Sequence, residues 1–245
     1  MPAQPSGLGF VPDGRLLVVS MVDRRLLRLD AGGLVEVADL SRHAPWHLND
    51  MVVDSDGRAY VGNFGWDDER DGVVVPTVLL RVDPDGSVTV AAEDLVNPNG
   101  MAITPDGRTL LVNETFAARV TAYDRSPDGA LSNRRTWSAF ADRPFATVPE
   151  ALGSGVLLPD GIALDESGAA WLGDCSGTGA SRIAPGGECL EFVSTAPHAT
   201  FAVALGGPDL RTLFLCTGPR FGTANPADER AGALRRTVVE VPGAG

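Results

Sequence analysis

Apolar and polar positions along the chain fall into short bursts cut by turn residues, and the bursts recur. The first full burst is Phe10-Val-Pro-Asp-Gly14-Arg-Leu-Leu-Val-Val-Ser20. Its relatives are Val53-Asp-Ser-Asp-Gly57-Arg-Ala-Tyr-Val-Gly-Asn63, Ile103-Thr-Pro-Asp-Gly107-Arg-Thr-Leu-Leu-Val-Asn113 and Leu164-Asp-Glu-Ser-Gly168-Ala-Ala-Trp-Leu-Gly-Asp174. A degenerate fifth copy runs Leu205-Gly-Gly-Pro-Asp-Leu210-Arg-Thr-Leu-Phe-Leu-Cys216. Each reads as a strand, a tight turn and a returning strand. The turns lie 43, 50, 61 and 42 residues apart. Most copies are followed by a second hairpin, as in Leu79-Leu-Arg-Val-Asp83 with its Asp85-Gly86 turn.

Four strands in each 40- to 50-residue repeat predict the blades of a β-propeller. The expected fold is therefore all-β: one propeller domain over 1–245, with four-stranded blades and five blades countable. Ser138–Leu158 lacks strand alternation and is expected as a loop. The acidic stretch Trp66–Gly72 is expected to be solvated. Thr237–Val241 is expected as a last strand that helps close the ring.

The repeat also sets a register. Eight residues before Gly57, Gly107 and Gly168 lie Asn49, Asn99 and Asp160; the corresponding positions in the outer copies are Ser6 and Ala202. First strands of propeller blades line the central channel, so these side chains should meet around the axis. Two carboxamides and a carboxylate make an oxygen-rich cup suited to a hard divalent cation. Six residues after the turns lie Ser20, Asn63, Asn113, Asp174 and Cys216, expected at the same mouth but farther out. Asn63 and Asn113 are candidate substrate contacts. Glu114 follows Asn113, and His47 precedes Asn49 by two residues. Singly, such Asn and Asp residues would usually make Asx turns; three in register point instead to a common site.

Composition narrows the chemistry. The 245 residues carry 20 basic and 32 acidic side chains, a formal charge of −12. Such a chain repels phosphate backbones and anionic bilayers, so neither a nucleic acid nor a membrane is an expected partner. All basic residues are Arg, which excludes an enzyme Schiff base and a Lys-bearing phosphate loop. Three cysteines make no disulfide framework. Met1–Phe10 has neither a basic start nor an apolar run, so no secretory leader is expected and the cytoplasm is the expected compartment.

Three stretches, His47-Leu-Asn-Asp-Met-Val-Val-Asp54, Pro98-Asn-Gly-Met101 and Pro159-Asp-Gly-Ile162 with Trp171, resemble the senescence marker protein, gluconolactonase and luciferin-regenerating enzyme family. The resemblance runs along nearly the whole chain. It implies a six-bladed propeller with one divalent cation, calcium first and zinc or magnesium as alternatives, and hydrolysis of lactones or related esters. It carries metal-ligand roles to Asn99 and Asp160, and a metal or substrate role to Asn49. His47 stands where sugar lactonases of the family carry a substrate-holding Arg, which counts against a gluconate-type substrate. The family's opening Glu-Gly-Pro motif, with its metal-binding Glu, is missing, and Gln4–Phe10 resembles the family's second blade. A whole first blade is thus expected to be absent, with weaker metal binding. The remaining blades must either close as five or form a homo-oligomer that hides the gap.

The leading expectation is metal-assisted hydrolysis of a small lactone or ester, with a cation on Asn49, Asn99 and Asp160 and His47, Glu114 or Asp174 as base. The alternative is a non-hydrolytic biosynthetic enzyme, a cyclase, isomerase or condensing enzyme, using the same acid–base residues with little or no metal. A binding propeller without chemistry is a third class, disfavoured by inward-facing Asn and Asp.

Overall fold

The repeated turns close because the chain places Gly where the backbone must turn left-handed. Gly14, Gly57, Gly107 and Gly168 have φ of +85°, +84°, +70° and +82°. Their amides return to the carbonyls of Val11, Asp54, Thr104 and Asp165 at 2.8–3.0 Å. In the fifth copy Leu210 takes the same role at φ +56°, with its amide on the Gly207 carbonyl at 3.2 Å.

The structure, a computed structural model, describes residues 3–66, 72–222 and 231–245. Most of the acidic stretch expected to be solvated, 67–71, lies outside them. Five antiparallel sheets follow one another along the chain. Blade 1 holds β1 (Pro5–Phe10), β2 (Leu16–Ser20), β3 (Arg25–Asp30) and β4 (Gly33–Asp39). Blade 2 holds β5 (Leu48–Val53), β6 (Ala59–Asn63), β7 (Thr77–Val82) and β8 (Val88–Leu95). Blade 3 holds β9 (Pro98–Ile103), β10 (Thr109–Glu114), β11 (Arg119–Arg125) and β12 (Leu131–Ala139). Blade 4 holds β13 (Pro159–Leu164), β14 (Ala170–Asp174), β15 (Gly179–Ile183) and β16 (Cys189–Ser194). Blade 5 holds β17 (Ala199–Gly206), β18 (Thr212–Gly218) and β19 (Ala233–Val238).

The fold is the expected all-β propeller, with corrections in its last blade, one connection and the closure of the ring. Blade 5 shows three strands among the described residues, not four. Its last strand starts earlier than expected and pairs with β18, so it ends the sheet rather than closing the ring. Beyond it the chain crosses to blade 4, where the Glu166 and Ala244 amides bond the Pro242 and Leu164 carbonyls at 2.9 and 3.0 Å. The expected loop between blades 3 and 4 also contains a short helix, α1 (Val148–Gly153), capped by the Thr147 side chain.

Apolar side chains fill the seams between consecutive blades. Leu17, Val19 and Leu26 meet Met51, Val61 and Leu80; Tyr60 and Leu79 meet Met101 and Val112. Leu111 and Val120 meet Ile162 and Leu172, and Trp171 meets Val203 and Leu213. Four seams join five blades, and among the described residues no fifth core joins blade 5 to blade 1. Leu8 and Phe10 on β1 are 58% and 66% exposed, and Leu234 and Val238 on β19 are 69% and 77% exposed. The ring is therefore open between its first and last blades, where five-bladed closure would have buried these faces.

Candidate functional site

Each innermost strand carries a pairing irregularity at one equivalent place. Between β1 and β2 the register shifts after Pro5, between β5 and β6 after Leu48, and between β9 and β10 after Pro98. It shifts again after Pro159 in β13 and after Thr200 in β17. The residues that follow are Ser6, Asn49, Asn99, Asp160 and Phe201. A bulge turns a side chain away from the alternation of the strand. Asn49, Asn99, Asp160 and Phe201 consequently line one pocket of about 750 Å³ at the mouth opposite the Asp-Gly turns. The equivalent position in blade 5 is Phe201, not the Ala202 that counting back from the turn selects.

The carboxamides are oriented by the protein. Asn49 Nδ2 donates to the Pro98 carbonyl at 3.3 Å, and Asn99 Nδ2 to Thr115 Oγ1 at 3.1 Å. Thr115 Oγ1 in turn donates to the Pro159 carbonyl at 2.8 Å. With the nitrogens held, the Oδ1 atoms are the ones offered to a ligand. Burial pushes the Asp160 carboxyl well above the usual carboxylate range; Asp50 and Asp174 add repulsion, and the Asn99 side chain opposes it. Burial also pushes Asp50 up to about 6, against a bond from the Met51 amide at 2.8 Å. Asp50 occupies the position that is Gly7, Gly100 and Gly161 in blades 1, 3 and 4. A Cβ on Gly7 would lie 2.8 Å from its Oδ1, so the carboxylate fills the room that Gly7 leaves. Sequence reasoning did not select Asp50 because it sits beside a better ligand candidate; its outlier status among those small residues is the signal that could have found it.

No cluster of three His, Cys, Asp or Glu side chains forms a metal site among the described residues. The donor set is instead two carboxamide oxygens and a half-buried carboxylate close to a second one. That set fits a hard divalent cation, because an added positive charge would relieve carboxylates that burial otherwise disfavours.

His47 lines the pocket, with its ring 6.2 Å from Phe64. The other expected site residues do not line it. Asn63 is fully buried, donates to the Val78 carbonyl at 2.7 Å and accepts from Thr77 Oγ1. Asn113 is fully buried and donates to the Asp160 carbonyl at 2.6 Å. Both serve the backbone rather than facing the pocket as substrate contacts. Glu114 is fully buried among Arg119 at 2.9 Å, Arg134 at 3.2 Å, Thr121 and the Val96 amide at 2.7 Å. Burial disfavours its charge, but Arg119, Thr121 and the Val96 amide together outweigh that and hold the carboxyl below its usual range. Such a carboxylate is a poor proton acceptor, which departs from its expected role as base. Asp174 Oδ1 accepts from the Ser176 and Gly177 amides at 3.0 and 2.9 Å, an Asx turn that occupies it. Cys175 does line the pocket, but burial, and then Asp160 and Asp174, push its thiol well up, which disfavours the reactive thiolate.

A smaller cleft of about 240 Å³ at the opposite, turn end lies between blades 1 and 2. Its Asp13 and Arg15 pair with one another, and it lies away from the bulge residues.

Comparison with known proteins shows the family. The profile of the SMP-30/Gluconolactonase/LRE-like region matches residues 1–218. Pentonolactonase XacC of Haloferax volcanii is 32% identical over 97% of this chain and 77% of its own length. The 6-deoxy-6-sulfogluconolactonase of Pseudomonas putida is 30% identical over 80% of this chain, which spans 63% of that protein. Among solved structures, the calcium-binding protein regucalcin of Agrobacterium tumefaciens superposes with a TM-score of 0.76 at 21% identity, covering 99% of this chain and 78% of its own.

Proposed function

Because this chain belongs to the SMP-30/gluconolactonase/LRE-like family, whose relatives include named lactonases, we propose that it hydrolyses a small-molecule lactone at the channel mouth with the help of a divalent cation. The observation that carries the reading is the meeting of three bulge residues, Asn49, Asn99 and Asp160, with His47 in one pocket. Asn49 Oδ1, Asn99 Oδ1 and the Asp160 carboxylate would hold the cation, and Asp50 would add negative charge nearby. A bound cation supplies Lewis-acid polarisation of the lactone carbonyl. Calcium is the first candidate, since the all-oxygen donor set suits a hard ion and a fold relative is named as calcium-binding.

The rest of the chemistry falls to the chain. His47 accepts a proton from the attacking water as its oxygen bonds the carbonyl carbon. It returns that proton to the ring oxygen when the C–O bond breaks, so a hydroxy acid leaves. Thr115 and Asn113 keep the Asn99 and Asp160 donors in place from behind. Phe64, Phe116 and Phe201 limit bulk water around the reacting carbonyl.

The test is turnover of a lactone panel by chelated protein, then by protein re-supplied with calcium. The reading expects activity to vanish and return, and Asp160→Ala to bind no calcium by titration calorimetry. Unchanged calcium binding and unchanged turnover in both Asp160→Ala and Asn99→Ala would overturn it.

A further inference from the structure

The pocket is divided into a polar and an apolar side, and the division falls at one structural position. In blades 2 to 4 the bulge residue offers oxygen: Asn49, Asn99 and Asp160. In blade 5 it is Phe201. From Phe201 the wall continues through Phe221, Trp66, Phe116 and Phe64. Trp66 stacks on Phe64 at 5.4 Å and 7°, and meets Phe116 and Phe221 edge-to-face at 6.3 and 6.1 Å. These rings come from blades 2, 3 and 5. Trp66, Phe201 and Phe221 are only partly buried, and all three pack on one apolar cluster with Phe116 and Leu158. Their open faces are therefore turned to the pocket or its rim.

The described hydroxyl side chains of the pocket are occupied elsewhere. Thr115 Oγ1 donates to the Pro159 carbonyl and accepts from Asn99. Thr217 Oγ1 donates to the Ala233 carbonyl at 3.1 Å. Gln4, Asn97 and Arg220 also line the pocket, but along the aromatic side a polyhydroxylated lactone would have to desolvate its hydroxyls against ring faces that return no strong hydrogen bonds, which disfavours each one left unpaired. An apolar ring would instead displace water from aromatic faces and gain ring–ring contact.

We infer that this site selects lactones with an apolar, ring-bearing body, such as an aryl-fused δ-lactone, over polyhydroxylated sugar lactones. The body rests against Trp66, Phe116, Phe201 and Phe221, and the carbonyl points to the Asn99 and Asp160 side. This rests on the lactonase reading above and narrows its substrate.

Two stable lactams serve as probes of binding without turnover: 3,4-dihydro-2-quinolinone for the aryl lactone and gluconolactam for the sugar lactone. Calorimetry on the full chain with calcium should show the aryl lactam bound about tenfold or more tighter. Trp66→Ala should weaken the aryl lactam about tenfold and the sugar lactam less than about twofold, and Phe221→Ala, at the half-buried rim, should do the same if the first variant folds poorly. Equal or tighter binding of the sugar lactam, or equal weakening of both probes in the variants, overturns the inference. Dihydrocoumarin and xylonolactone turnover, measured alongside, separates the two readings. Preferential aryl-lactam binding with no lactone turned over sinks the lactonase reading alone. Turnover confined to the sugar lactone sinks only the present one.

Discussion

Asn113 donates its side-chain amide to the backbone carbonyl of Asp160 at 2.6 Å, and so ties the second strand of blade 3 to the bulge of blade 4. The bond holds a candidate ligand from behind, across a blade seam. Asn113→Ala should lower stability by about 1–2 kcal/mol in urea unfolding, as loss of one buried hydrogen bond does. It should also weaken calcium binding by calorimetry. An intact calcium affinity with the same loss of stability would make Asn113 purely structural.

Asp160→Asn tests the carboxylate itself. Without divalent cation the charged Asp160 is disfavoured by burial and by Asp50. The neutral isostere should therefore melt at a higher temperature than the parent in chelator at pH 8, while losing the rise in melting temperature that calcium gives the parent.

Asp50, beside Asp160, contributes to the pH dependence of the cation-free chain. Its folded-state value is raised to about 6, so the stability it contributes is complete below the unfolded carboxylate value and is lost as pH climbs through 6. Asp50 retains a partly exposed edge, so the loss should be a fraction of the full linkage, about 1–2 kcal/mol. Melting in chelator from pH 4 to pH 7.5 should show it, and Asp50→Asn should flatten that slope. An equal slope in the variant would remove Asp50 from the account.

Glu114 behaves in the opposite sense. Arg119 and Arg134 keep some access to water, so losing the buried Glu114 charge in Glu114→Gln should cost about 1–3 kcal/mol in denaturant unfolding. The folded fraction should keep its turnover, because the carboxylate does not reach the pocket. A variant of normal stability but no activity would restore Glu114 as a base.

His47→Gln should lower lactone turnover by about a hundredfold while leaving calcium affinity within about twofold, the split expected for a proton acceptor that is not a ligand. Loss of calcium binding together with activity would instead make His47 part of the cation site.

Local chemistry carried much of this fold into view. An Asp-Gly or Ser-Gly turn followed by an apolar strand depends on a few neighbouring residues and a left-handed φ, so its recurrence reveals blades without any long-range information. Because the repeats are homologous in register, counting from Gly57, Gly107 and Gly168 also reached Asn49, Asn99 and Asp160, which do line one pocket. Counting failed in the fifth copy, where the hairpin pairs two residues more between bulge and turn while the bulge takes one fewer, so that Phe201 stands in place of Ala202.

Only the packed molecule decided the remainder. Whether Asn63, Asn113 and Glu114 face the mouth or the protein depends on which carbonyls, amides and guanidinium groups neighbouring strands bring to them, and these partners lie in other strands or loops. The wall of Trp66, Phe116, Phe201 and Phe221 joins residues more than 150 positions apart, so no periodicity records it. The open seam between blades 1 and 5 is likewise a property of the ring as a whole, because each blade's turns and strands form in the same way whether or not its outer face finds a neighbour.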